Sequence, residues 1–496
     1  MTYVLGIDLG TQSLKTLIYD TEARHIVASA SSPVDIIQNA DGTAEQVASW
    51  WVAALDHCMA ELPKADKQAI GALAVSGQQH GFVPVDAEGA VVANVKLWCD
   101  TTTTVECDEI MTAVGGREAC VAMSGNAIMT GYTAPKILWL KKHQPKAYEA
   151  MATVMLPHDY LNFFLGNVRA MEYGDASGTG LLDVRTRQWQ SDIINAIDSS
   201  DHLARCLPPL HEGLGPIGHV SETIAERYDL PSGIPIAPGG GDNMMGAIGT
   251  GNVSSGVVTM SLGSSGTVYA CSDAPITDPA ERLAAFCSST GGWLPLLCTM
   301  NCTLTTELTR TCLDTPLQEL EALVSNAPVG SQGVLTLPFF NGERTPNLPK
   351  GKGSILGLDA TNYAKSNLLR SAMEGASYGL KLGIEALEES GLKIEQIRLI
   401  GGGSKSATWC QMVADICNAE VVLLKKDEGA AFGAALQAYA TQKIDQGETA
   451  NIEQLTTEHV ELDTQKYQPV SEQVVSYKTL YTNYKQAVET LSQLYK

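Results

Sequence analysis

The sequence predicts an α/β protein built as two similar halves. Three observations carry that expectation. Helix-like and strand-like segments alternate along both halves of the 496 residues. A strand, glycine turn, strand pattern opens the chain and returns near its middle, where Ser261-Leu262-Gly263-Ser264 matches Asp8-Leu9-Gly10-Thr11. Hydrophobic residues make up 44% and charged residues 18%, enough apolar surface for two large cores.

Taken in order, residues 3–9 alternate apolar and polar and read as a strand. Gly10, Thr11, Gln12 and Ser13 turn the chain, and residues 14–20 form the returning strand. A third strand around residues 24–31 completes a meander. Residues 44–62 show helical periodicity, residues 70–76 read as a strand and residues 133–143 as a helix. The boundary falls between positions 246 and 253, giving domains at 1–248 and 249–496. In the second half, residues 256–262 and 267–270 are strands around the turn at Gly263, Ser264, Ser265 and Gly266. Residues 366–389 form a long helix, 397–400 a strand, 407–418 a helix and 421–424 a strand. Residues 474–495 space apolar side chains by three and four, as in an amphipathic helix laid on the second domain.

The formal charge of −22 argues against nucleic acid, which rewards clustered Lys and Arg, and against anionic membrane surfaces. It does not exclude an anionic ligand, since backbone N–H groups bind phosphate unaided. Twelve scattered cysteines include no CxxC pair, which points to reduced thiols in a cytoplasmic protein. No apolar run approaches about 18 residues, so no membrane helix is expected. The first residues lack a basic segment and carry Asp8 early, unlike a signal peptide.

Four places carry chemistry. Two glycine turns, one per half, can grip an anion with exposed N–H groups, although each alone is also an ordinary hairpin turn. Ile400-Gly401-Gly402-Gly403-Ser404 is a strand, glycine, helix unit suited to a nucleotide; it is not GxGxxG, and no GxxxxGK[ST] occurs. Asp8 ends a strand beside the first turn, where a carboxylate caps the turn or holds a phosphate-bound metal ion such as Mg²⁺. Asp242 follows Gly239-Gly240-Gly241 at a helix start. It is either a helix cap or a general base aimed at a substrate hydroxyl. Around these lie Gln79 and His80 in Ser76-Gly77-Gln78-Gln79-His80-Gly81, and Trp98 and Asp100. A polyol can bind a Gln–His pair beside an aromatic face; a structural His and a core Trp are the plain alternatives.

Two long segments resemble the signatures of the FGGY carbohydrate kinases. One is Gly131-Tyr132-Thr133-Ala134-Pro135-Lys136-Ile137-Leu138-Trp139-Leu140-Lys141-Lys142-His143. The other is Gly353-Ser354-Ile355-Leu356-Gly357-Leu358, continuing to Asn367-Leu368-Leu369-Arg370-Ser371-Ala372-Met373-Glu374. With the turns and the Gly-Gly-Gly-Asp-Asn segment, the resemblance spans nearly the whole chain. It implies two actin-like, ribonuclease H-like ATPase domains flanking a catalytic cleft. It implies transfer of phosphate from ATP, with Mg²⁺, to a small sugar.

Ser76-Gly77-Gln78-Gln79-His80-Gly81 and Gly342-Glu343-Arg344-Thr345-Pro346 are most similar to members acting on D-xylulose. The resemblance makes Asp242 the proton acceptor and Asp8 the metal-site residue. It puts Gln79, His80, Trp98, Asp242 and Asn243 at the sugar. Gly10, Thr11, Gln12, Ser13, Gly263, Ser264 and Ser265 would cradle phosphates, and Gly401, Gly402, Ser404 and Ser406 would border the adenosine. Dimers are common in that family, so a homodimer is the assembly the resemblance suggests. Gln79 stands where Met is commoner, and Asp100-Thr101-Thr102 stands where many members have Asp-Gly-Arg. A basic residue expected near the sugar is therefore missing from that segment. Kinases for L-ribulose, D-ribulose, L-xylulose or glycerol are the alternatives within the class. An actin-like nucleotide switch and an inactive sugar sensor are the alternatives outside it.

Overall fold

A computed structural model describes residues 3–426 and 428–495. Its frame is two sheets of matching topology with helices between and around them. The first sheet begins with β1 (Tyr3–Leu9), β2 (Ser13–Asp20) and β3 (His25–Pro33), the predicted meander. Then come α1 (Ala48–Glu61) and β4 (Ile70–Gly77), which runs parallel to β1. Helix α2 (Thr133–His143) and helix α3 (Pro157–Gly166) follow. Strands β5 (Gly218–His219), β6 (Pro235–Ile236) and β7 (Gly240–Gly241) complete the first sheet. Its order is β5-β6-β4-β1-β2-β3, with β7 also on β4.

Helix α4 (Asp242–Gly249) leads out of this sheet. The second sheet holds β8 (Val257–Leu262), β9 (Gly266–Ala270) and β10 (Leu296–Thr299). After the 25-residue helix α5 (Lys365–Glu389) come β11 (Gln396–Ile400), α6 (Ala407–Cys417) and β12 (Glu420–Leu424). Helix α7 (Gly429–Asp445), β13 (Leu462–Tyr467) and α8 (Ser471–Ser492) end the fold. The strand order is β10-β9-β8-β11-β12-β13.

The halves correspond strand for strand where it matters. Each has an antiparallel three-stranded meander, and its first strand lies parallel to a later one on the other side. Asp8 pairs with Ser76 across β1 and β4, as Ser261 pairs with Ile400 across β8 and β11. The repeat read from two tetrapeptides is therefore structural.

Sequence explains these positions. Val4, Leu5, Ile7 and Leu9 are all buried, because β1 is covered on both faces, the condition under which a strand is apolar throughout. Helix α7 is rich in alanine and buried on most sides. It belongs to the second half of the chain yet lies on β1 and β4 and against α4. The approach is backbone to backbone: a Cβ added to Gly433 would come 1.8 Å from the Met245 carbonyl oxygen. The tyrosines of α8, Tyr477, Tyr481 and Tyr484, are buried in the second core, as the amphipathic spacing predicts.

One element differs. Residues 44–62 are not one helix: Ala44–Gln46 is a short strand and α1 starts at Ala48. The reason is Gln46, whose buried amide is held by hydrogen bonds to distant parts of the chain, a tertiary demand that overrides local periodicity. Among the described residues no helix is long and apolar enough to cross a membrane.

The seam between α4 and α7 gives a stability prediction. Gly433→Val should lower the unfolding midpoint by several degrees in differential scanning fluorimetry, through about 1–3 kcal/mol of overpacking. Gly215→Ala, where an added Cβ meets nothing within 4 Å, should leave it within about a degree. Equal midpoints for both variants would refute the close-packed seam.

Candidate active site

Three neighbouring strands end at one place. Asp8 stands near the end of β1, Ser76 near the end of β4, and β7 pairs Gly240 with Ser76 and Gly241 with Gly77. The chain then enters α4 at Asp242. Carboxyl ends of parallel strands open into crevices, and polar residues there face a ligand rather than a core. Here the crevice is a cleft of about 570 Å³. Gln79, His80, Trp98, Asp242 and Asn243 line it from one side, and Gly263, Ser264 and Ser265 from the other.

Asp242 is the first residue of α4, and the cap position belongs to Gly241, with no side-chain cap bond. The helix-cap reading is therefore corrected. The carboxylate instead accepts from the Asn243 backbone N–H (2.8 Å) and Asn243 Nδ2 (2.9 Å), both on Oδ1. Burial pushes its pKa up to about 7, helped by the negative charges of Asp8 and Asp175 and opposed by the Asn243 bonds. A carboxylate poised near neutrality is what general-base chemistry requires. Asp8 accepts from Ser76 Oγ at 2.8 Å. Burial also raises its pKa, against the pull of Ser76 and Lys15.

The glycine run that delivers Asp242 is fixed from both halves. Gly239 has φ of 76°, and a Cβ there would lie 2.3 Å from the Val75 carbonyl. Gln437, buried in α7, donates to the Gly239 carbonyl (3.0 Å) and accepts from its N–H (2.8 Å). Nothing local in an alanine-rich helix marks Gln437, so the sequence reading passed over it.

Gln79 and His80 are both buried to 6% exposure, and they do different work. The Gln79 carbonyl accepts from Asn243 Nδ2 at 2.8 Å, so it orients the residue beside the candidate base. His80 holds φ of 64°, and its carbonyl accepts from Lys136 Nζ (2.8 Å) and Thr133 Oγ1 (3.2 Å). Lys136 is fully buried and also donates to the Gly131 carbonyl. The first long signature segment thus locks the His80 backbone. The His80 ring sits against Tyr132 and Phe286, with Nδ1 3.7 Å from Asp175. Burial and the nearby Lys136 and Arg344 charges keep the imidazole neutral. Below the glycine run, His158 lies between Asp159 (2.9 Å) and Asp175 (3.1 Å). Burial opposes its protonation, and the two carboxylates outweigh that opposition.

The first hairpin borders the cleft through a chain of bonds. Trp98 Nε1 donates to Thr11 Oγ1 (3.0 Å), Thr11 Oγ1 to Gln78 (3.1 Å), and Gln78 to the same buried Gln46 that breaks the predicted helix (2.7 Å). Gly10 closes the turn by donating to the Ser13 carbonyl, while Gln12 and Ser13 are exposed. Gly401 abuts Gly263, and Gly402 faces open space. The hydroxyls of Ser404 and Ser406 are engaged within the protein: Ser404 Oγ donates to the Gly401 carbonyl, and Ser406 Oγ donates to Glu321 and accepts from the Trp409 N–H as the cap of α6.

Among the described residues no group of three or more His, Cys, Asp or Glu is arranged to hold a metal ion. A magnesium ion sharing its shell with phosphate and water needs only one or two carboxylates, and the partly exposed Asp8 fits that demand. The cleft also contains residues that sequence reasoning left without a role: Thr267, Cys298 and Phe286, together with Arg344. Only Arg344 lay in a segment already singled out.

Residues 3–249 match the model of the FGGY family of carbohydrate kinases, N-terminal domain, and residues 261–441 match its C-terminal domain. A xylulose kinase from Haemophilus influenzae is 40% identical over 499 residues, covering 99% of this chain and 100% of that one. A xylulose kinase from Bacillus subtilis is 33% identical, covering 98% and 96%. The solved structure of a xyloylose kinase from Brucella ovis superposes with a TM-score of 0.91 at 28% identity, covering 99% of this chain and all of that one.

The Gln437 clamp is testable. Gln437→Leu leaves a buried N–H and a buried carbonyl on Gly239 without partners, at a cost of about 1–3 kcal/mol. Urea unfolding should show that loss. An unchanged midpoint would mean that the clamp is dispensable.

Proposed function

The chain belongs to the FGGY family of carbohydrate kinases, and from that premise we propose that it transfers the γ-phosphoryl group of ATP to D-xylulose, giving D-xylulose 5-phosphate. The observation that carries the reading is Asp242: a half-buried carboxylate with its pKa pushed to about 7, set between a sugar-sized wall and the turn of Gly263, Ser264 and Ser265. Full-length similarity to xylulose kinases supplies the acceptor.

In this reading residues 1–248 hold the sugar and the base, and residues 249–496 hold the nucleotide. His80, Trp98 and Asn243 bind the ketose, with Gln79 steadying Asn243. The terminal hydroxyl gives its proton to Asp242 as its oxygen attacks the γ-phosphorus in line and ADP leaves. The described bonds to Asp242 fall on Oδ1, which leaves Oδ2 to take that proton. Thr11, Gln12 and Ser13, in the turn that Gly10 closes, receive the phosphates on backbone N–H groups together with Gly263, Ser264 and Ser265. Gly401 and Gly402 border the adenosine by their lack of side chains, and Ser404 and Ser406 act by shaping that turn. Asp8 is the residue that would hold Mg²⁺, whose charge offsets the charge gathering on the phosphate oxygens. Most of the acceleration comes from positioning and electrostatics. The proposed setting is the cytoplasm, with a homodimer as the proposed assembly.

Asp242→Asn should lower kcat by about 100- to 10,000-fold while sugar binding and the unfolding midpoint stay near wild type. Near-normal turnover would remove Asp242 as the base. The base works only when unprotonated, and its pKa lies near 7. Activity should therefore fall as pH drops through that value, about tenfold in kcat/KM per unit below it. An acid limb near pH 4, the range of an ordinary carboxylate, would contradict the raised pKa.

A further inference from the structure

Arg344 enters the cleft from the second half of the chain on a fixed loop. Glu343, 3% exposed, accepts from the Met300 N–H (2.6 Å), from Asn301 Nδ2 (3.1 Å) and from the Arg344 N–H (2.8 Å). Asn301 also holds the Gly342 carbonyl, and Glu343 and Leu348 exchange backbone bonds. The guanidinium reaches the opposite wall. Its carbon lies 5.8 Å from the centre of the Trp98 ring, and its Nη2 lies 3.3 Å from where a Cβ on Gly131 would stand. No carboxylate among the described residues pairs with it. Apart from a bond to the Cys298 thiol, an arginine that points into a ligand cleft without a carboxylate partner keeps its donors for something else.

Its place along the cleft says what that is. The guanidinium stands beside the Trp98 ring and Gly131, and its charge acts on His80 and Tyr132 as well as on Cys298. Arg344 therefore belongs to the wall of His80, Tyr132 and Trp98. If Asp242 attends the terminal hydroxyl, this wall meets the rest of the sugar. Resting on the proposed xylulose reading, we propose that Arg344 is a specificity-determining residue whose guanidinium donates to the ketone oxygen and an adjacent hydroxyl of an open-chain ketose. The basic residue absent from Asp100-Thr101-Thr102 is thereby supplied across the cleft. A planar fork of donors suits an sp² oxygen with two in-plane lone pairs better than a rotating hydroxyl. Because Arg344 and the wall of His80, Tyr132 and Trp98 come from different halves, it engages only a sugar enclosed by both.

The test compares full-length wild type, Arg344→Met and Arg344→Lys with D-xylulose and with xylitol, the matching polyol, at saturating MgATP. Arg344→Met should raise the KM for D-xylulose tenfold or more, leave the KM for ATP within about twofold, and change kcat/KM for xylitol less than threefold. The ketose preference should shrink accordingly. Arg344→Lys should fall between, since a single ammonium lacks the fork. Circular dichroism and the unfolding midpoint confirm that the variants fold. Equal losses on both acceptors with an unchanged sugar KM would assign Arg344 to the phosphoryl group and overturn the proposal. Wild-type kinetics in Arg344→Met would overturn it as well. Wild-type protein that fails on D-xylulose but turns over another sugar would instead sink the substrate reading, and this assignment with it.

Discussion

The packing of α4 against α7 is the constraint on which the rest of the molecule depends. Two helices from different halves meet at glycines, so their backbones approach too closely for any side chain. That contact sets where the two sheets stand and therefore where the cleft opens. It also carries Gln437 to Gly239, and so a residue of the second half fixes the loop that presents Asp242. A carboxylate held partly out of water beside Asp8 and Asp175 would relax toward solvent if that loop were loose. Its raised pKa comes first from burial and then from the charges of Asp8 and Asp175, an arrangement that needs the loop held in place.

Around that seam the two halves divide the chemistry. The first half ends three strands together and supplies two carboxylates and the Gln–His wall. The second supplies the turn of Gly263, Ser264 and Ser265, the seam helix and Arg344. Neither half closes the cleft alone. Contacts that cross it, such as Asn126 with Ala285 and Ser289 with Glu172, tie the strap around Phe286 to the first half. Phe286 in turn backs His80. The wall offered to the sugar is thus a joint product of the two halves.

Much of this was legible in the sequence because the signals were local. Glycine turns, the alternation of strands and the glycine run before Asp242 are short patterns, and the structure puts them in one place. The repeat of two tetrapeptides proved to be a repeat of sheet topology. What could not be read depended on long-range partners. Gln46 breaks the expected helix over 44–62 because its amide serves Thr11 and Gln78. Gln437 lies about 200 positions from the glycine it clamps. Asp242 is one residue inside its helix rather than at the cap, a difference too small for periodicity to resolve. Ser404 and Ser406, read as nucleotide contacts, spend their hydroxyls on the Gly401 carbonyl and on Glu321, 85 positions from Ser406, bonds that only coordinates reveal. Arg344 sat in a recognised segment, but only the fold shows which cleft it enters.

The most direct test of the central claim is a coupled measurement of ADP release by the full-length protein with MgATP, in the presence and absence of D-xylulose, with phosphorus NMR of the product. The account predicts ADP release that depends on the sugar and matches, mole for mole, a new sugar phosphomonoester. ADP release at the same rate without sugar, or no phosphorylated sugar, would identify a nucleotide switch and contradict the account.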